Sequence, residues 1–110
     1  MNKEDMVDIA RQALKDFELP FYQKEIFTVE FFKRREFLAK YRGIDSGYLV
    51  VVDGPSFQFP EDPDGGGYLF YFEENEPHRI YFQDCSGGQI PAAWIKKDEN
   101  GKYYREFVLR

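Results

Sequence analysis

Residues 62–73 carry carboxylates and glycines at the spacing of a calcium loop. Laid on the EF-hand pattern, Asp62 and Asp64 take positions one and three, and Gly67 takes the sharp-turn position six. Leu69 takes the apolar position eight, and Glu73 the bidentate position twelve. A hard cation wants about six to eight oxygens, which alternating carboxylates can supply. Here position five is Gly66, which has no side-chain oxygen. The segment also runs into alternating aromatic residues rather than a helix. A strand there carries Glu73 away from Asp62, so the expectation is an acidic, glycine-rich loop without a metal.

Cys85 and His78 are the single cysteine and the single histidine. A thiolate–imidazole pair needs hydrogen-bond reach, about 3 Å. Residues 79–83 between them read as a strand, which holds its two ends roughly 20 Å apart. The same two residues fall short of the four ligands usual for zinc. Carboxylates gather at Glu61, Asp62 and Asp64, at Glu73, Glu74 and Glu76, and at Asp98 and Glu99. Acid–base catalysis needs one carboxyl desolvated beside one that is not, and these turn-rich stretches leave all of them in water. The glycine run 65–67 leads into a strand, so no helix N-terminus faces a phosphate there. No Walker A, GxSxG or HExxH pattern occurs. The expectation is a protein that is not an enzyme and holds no cofactor.

The elements that position these residues begin with an amphipathic helix over residues 3–17. Met6, Ile9, Ala10, Ala13 and Phe17 recur three or four apart, with Val7 and Leu14 on the shoulders of the stripe. Asn2 is the expected N-cap. Glu4 and Asp5 fall in the first turn, where the helix dipole favours negative charge, and Pro20 ends the pattern. Residues 25–32 read as a strand, with residues 37–42 as a hairpin partner across Lys33, Arg34, Arg35 and Glu36. The competing reading is one helix over residues 28–41, favoured by Glu36, Leu38, Ala39 and Lys40. The β-branched and aromatic content puts strand ahead.

Further strands are read at residues 48–52, 68–73 and 79–83. Residues 92–97 and 102–109 form a hairpin about Asn100 and Gly101, a strong turn pair. Loops fall at 60–67 and 85–91. With no linker and no repeat, residues 1–110 read as a single α+β domain. One N-terminal amphipathic helix packs on a curved antiparallel sheet of about five to seven strands. In element order this resembles the cystatin-like arrangement.

The chain of 110 residues has 20 acidic and 15 basic side chains, a net charge of -5. Nucleic-acid binders neutralise phosphates with a basic surface. Lys33, Arg34 and Arg35 make the only basic run, read as a solvated turn. No apolar run reaches the ~18 residues of a membrane span. The opening residues lack a leader's apolar stretch, and a lone cysteine suits a reducing compartment. The expected location is the cytoplasm, with neither nucleic acid nor membrane as partner.

Twelve Phe, eight Tyr and one Trp are more than one face of a small sheet needs. Alternation turns some of these rings away from the helix, and Tyr and Trp dominate interface hot spots. Small size, negative charge and surplus rings resemble the profile of bacterial immunity proteins that neutralise a toxin, or of phage-encoded inhibitors. That resemblance implies a binding protein that occludes a partner with a basic surface. The residues expected to carry it are Glu61, Asp62, Asp64, Tyr68, Tyr71, Glu73, Glu74, Glu76 and Trp94. A homodimer would use the same aromatic surplus. The alternative is a small-molecule or minor enzymatic pocket between helix and sheet, drawing on tyrosines, Trp94, and Asp84 or His78. A third reading is a structural subunit that works only as an oligomer.

Overall fold

A computed structural model describes residues 2–19, 27–33, 46–54, 66–75, 79–84 and 92–107. The helix α1 spans Lys3–Asp16. Its start is a reciprocal capping box: Asn2 Oδ1 accepts from the Asp5 N–H at 2.8 Å, and Asp5 Oδ2 accepts from the Asn2 N–H at 3.2 Å. The end is a Schellman turn. The Glu18 N–H donates to the Lys15 carbonyl and the Leu19 N–H to the Leu14 carbonyl, both at 3.0 Å. Glu18 takes the left-handed position, φ 59, that glycine usually fills.

Six strands follow as an antiparallel meander in the order β1-β2-β3-β4-β5-β6. They are β1 Thr28–Lys33, β2 Ser46–Gly54, β3 Gly66–Glu73, β4 Ile80–Asp84, β5 Ala92–Lys97 and β6 Tyr103–Phe107. Among the described residues the sheet is open, with β1 and β6 at its edges. The α+β class therefore holds. Residues 28–33 are strand, which excludes the competing helix there. Their partner is β2, with Val29 opposite Val50. The expected partner at 37–42 lies outside the described residues.

Register sorts the side chains into two faces. Val29, Val50, Phe70, Phe82 and Ala93 line up across five strands on the helix side. Met6, Ala10, Ala13 and Leu14 of α1 close over this face and form one buried cluster with Val50, Val52, Tyr68, Phe70, Phe72, Ile80, Phe82 and Ile95. Phe82 is the hub, with its ring centroid 4.9 Å from Phe70 and 5.4 Å from Phe17. The helix stripe is rotated from the one expected. Leu14, read as a shoulder, is fully buried, while Ile9 is only partly so. Just beyond Leu14 the chain turns back, with the Leu19 N–H on the Leu14 carbonyl, and Leu19 packs against the same core.

Two glycines are required by geometry. A Cβ on Gly47 would lie 1.9 Å from the Phe72 carbonyl oxygen, so any side chain would push β2 from β3. Gly101, at φ 78, completes the β5–β6 turn, where Asp98 Oδ1 accepts from the Asn100 and Lys102 N–H groups at 2.9 Å each.

Candidate binding face

The side of the sheet away from α1 carries a second row. Leu49, Tyr71, Tyr81, Trp94 and Glu106 are directly opposed across β2 to β6. Tyr71 and Tyr81 lie 6.0 Å apart, and Tyr81 meets Trp94 edge-on at 5.4 Å. Such aromatic pairs contribute about 0.5–1.5 kcal/mol beyond their burial. Leu49, Leu69 and Ala92 pack around them, making a cluster separate from the helix-side core.

One strand position along, the row turns polar. The β3–β4 connection brings Arg79 opposite Glu73, whose N–H donates to the Arg79 carbonyl at 3.3 Å. Arg79 Nη1 donates to Glu73 Oε2 at 2.9 Å. The same guanidinium lies 4.7 Å from the Trp94 ring centroid. Arg79 is thus held by a carboxylate and a ring together, and loses little freedom if a partner docks on it. Lys96, Tyr104 and Glu106 form an exposed rim toward β6, and Thr28 and Glu30 another at β1. Gln83 is also on this side, buried, and its Oε1 has no hydrogen-bond partner among the described residues.

Three of the expected site residues, Tyr71, Glu73 and Trp94, come together here. Two of them sit differently from the exposed acidic aromatic surface expected. Tyr71 is only 3 % exposed, and Glu73 is paired with Arg79 rather than free to attract a cation. Tyr68 is on the opposite face beneath the helix, fully buried and stacked on Phe82 at 6.0 Å. Glu74 is exposed just after β3. Glu61, Asp62, Asp64 and Glu76 lie outside the described residues, as do Cys85 and His78. Arg79 and Tyr81 were missed. Period-two alternation from Tyr81 already put both on one side of the fourth strand, but a search for clustered acids passes over a single cation.

On the helix side, a recess of about 480 Å³ opens between the N-terminal half of α1 and β1. Lys3, Glu4, Val7, Asp8, Arg11, Phe27 and Val29 line it. Arg11 crosses it, stacked 4.9 Å from the Phe27 centroid and paired with Asp8 at 3.4 Å. Neither Trp94 nor Asp84 lines this recess. Among the described residues, no group of three His, Cys, Asp or Glu could hold a metal ion, and no helix is long and apolar enough to cross a membrane. Comparison with family models, with curated proteins and with solved structures finds no match for this chain.

Proposed function

We propose that this chain is a binding protein that occludes a partner protein presenting a basic surface, in the manner of an immunity protein or inhibitor. The observation that carries the reading is the Glu73–Arg79–Trp94 arrangement on the helix-free face. Trp and Arg are the residues most enriched at interface hot spots, and here both are held in place before any partner arrives. The net charge of -5 favours fast encounter with a cation-rich surface. In this reading the protein acts in the cytoplasm, where its one thiol stays reduced.

The test starts with affinity capture from the native source and identification of bound protein by mass spectrometry. The purified partner is then followed by surface-binding kinetics across a salt series. Trp94→Ala is expected to speed dissociation about tenfold or more, as loss of a hot spot does. Glu30→Lys, at the exposed rim, is expected to slow association most at low salt, where screening is weakest. Association indifferent to salt, with dissociation unchanged by Trp94→Ala, rejects the reading.

A further inference from the structure

An edge strand turns half of its backbone groups off the sheet. For β6, the hairpin decides which half. The Asp98 N–H donates to the Lys102 carbonyl at 2.9 Å, so the next opposed pair, Lys97 and Tyr103, is of the non-bonded kind. Alternation then points the N–H and C=O of Tyr103, Arg105 and Phe107 outward. The first outward donor is already occupied: the Tyr103 N–H donates to Asp16 Oδ2 at 2.9 Å, at the end of α1. Gln12 Nε2 braces that carboxylate through the other oxygen at 2.8 Å. Two exposed rings flank this short strand, one on each face: Tyr104 at 45 % and Phe107 at 51 % exposure. Between them, Arg105 stacks on Phe17 at 4.9 Å and on Phe107 at 5.2 Å.

We propose that the β6 edge is a self-association site, where a second copy of the chain adds antiparallel about a two-fold axis at Arg105 and the two sheets continue into one. The side chains of β6 are self-complementary in that register. On the helix-free side, Tyr104 falls opposite the partner's Glu106, a phenol against a carboxylate. On the helix side, Tyr103 falls opposite the partner's Phe107, an aromatic cross-strand pair. Symmetry makes each pair twice. Arg105 meets its own counterpart at the axis, but its guanidinium is folded back over Phe17 and Phe107 of its own chain. Other registers are worse. An axis at Glu106 sets two glutamates face to face. An axis at Tyr104 makes both central pairs depend on the Tyr103 N–H that Asp16 holds. Tyr104 and Glu106 also rim the Trp94 face, but the readout here is association of the chain with itself, so the proposal is tested apart from the partner reading.

Sedimentation velocity on the purified chain over a concentration series is the test, with a monomer–dimer equilibrium expected. Arg105→Pro should weaken the dimer about tenfold or more, yet fold normally, because its outward N–H makes no bond to β5. Asp16→Ala should tighten the dimer several-fold by freeing the Tyr103 N–H for the partner's Phe107 carbonyl. In a Cys85→Ser background, Arg105→Cys should form an intermolecular disulfide on mild oxidation. Residues directly opposed in a bonded pair have Cα atoms about 5.5 Å apart, inside the disulfide range. This readout keeps the register testable if the proline variant fails to fold. A monomer at every concentration up to roughly 1 mM, a dimer untouched by Arg105→Pro, or a dimer without the disulfide overturns the proposal. So does a ladder of larger species, which would indicate β6 joining β1 head to tail.

Discussion

Aromatic rings build both faces of this sheet, and they do so under different constraints. On the helix side, Tyr68, Phe70, Phe72 and Phe82 are fully buried under Met6, Ala10, Ala13 and Leu14, and Arg11 and Arg105 reach only the outer rings of that face, Phe27 and Phe17. On the other side, Tyr71 and Tyr81 are as deeply buried, yet their row ends in Trp94, Arg79 and Glu73, with Gln83 beside it. At the centre of the first face the contacts are apolar, and the cations sit at its margins. The second mixes packing with fixed polar groups, which a fold has no need of for burial and which docking surfaces use. Composition cannot separate the two, since the same residue types serve both. Register can.

The largest effect is expected where the helix-side core is broken. Leu14→Asp buries an unpaired charge and should cost about 4 kcal/mol or more, enough to abolish folding in a small domain. Ile9→Asp, at a partly buried position, should cost clearly less. Urea denaturation ranks the two, and equal damage would return Ile9 to the centre of the stripe. Next comes the helix-free face. Tyr81→Ala should cost about 3 kcal/mol, as truncating a buried ring does. Trp94→Ala should cost less in stability and more in partner binding. If Trp94→Ala is the more destabilising of the two, that face is core and the contrast between the faces collapses.

The contrast between the faces was partly legible in the sequence. The helix followed from three-and-four spacing and its Asn2 cap, and the β5–β6 hairpin from Asn100 and Gly101. The opposition of Leu69 and Tyr71 to Tyr68, Phe70 and Phe72 followed from period two. Alternation alone does not say which set the helix covers, so Tyr68 was placed with the binding residues although it lies in the core. Nor does it give depth: Tyr71 reads like any strand tyrosine until its neighbours are in place. The pairing of Glu73 with Arg79 depends on the β3–β4 register, and the burial of Leu14 ahead of Ile9 on how α1 seats on the sheet. Both are tertiary facts that local spacing leaves open.

Two smaller changes sharpen the picture by stabilising the chain. Gln83→Met removes a buried oxygen without a partner while keeping the side-chain volume. It should raise stability by about 1 kcal/mol, since an unmet buried acceptor costs its full desolvation. A thermal melt checks it, and a loss of stability would show that the amide is satisfied and structural. Glu18→Gly relieves a left-handed backbone at the end of α1. The gain should be about 0.5–1 kcal/mol, the strain relieved being offset in part by glycine's greater freedom when unfolded.

The smallest expected effect concerns the contact that ties the helix to the sheet edge. The Tyr103 N–H holds the Asp16 carboxyl below its ordinary value; partial burial opposes this, and Gln12, Lys102 and Lys97 reinforce it. A folded pKa below the unfolded one means that protonation favours the unfolded chain. The contribution is therefore full above the ordinary aspartate value of about 3.9. It is lost as the pH falls from there through the lower folded value. Asp16 is only partly buried at the end of α1, so solvent screening keeps the effect small. Other carboxylates titrate in the same window, which makes the difference between two chains the useful quantity. Asp16→Asn keeps an acceptor for the Tyr103 N–H but cannot titrate. Urea midpoints of the two chains should differ at pH 6, with the natural chain ahead, and converge below about pH 4. A gap that stays constant down to pH 2 would show that the charge on Asp16 contributes nothing, and that the neutral hydrogen bond alone fastens α1 to β6.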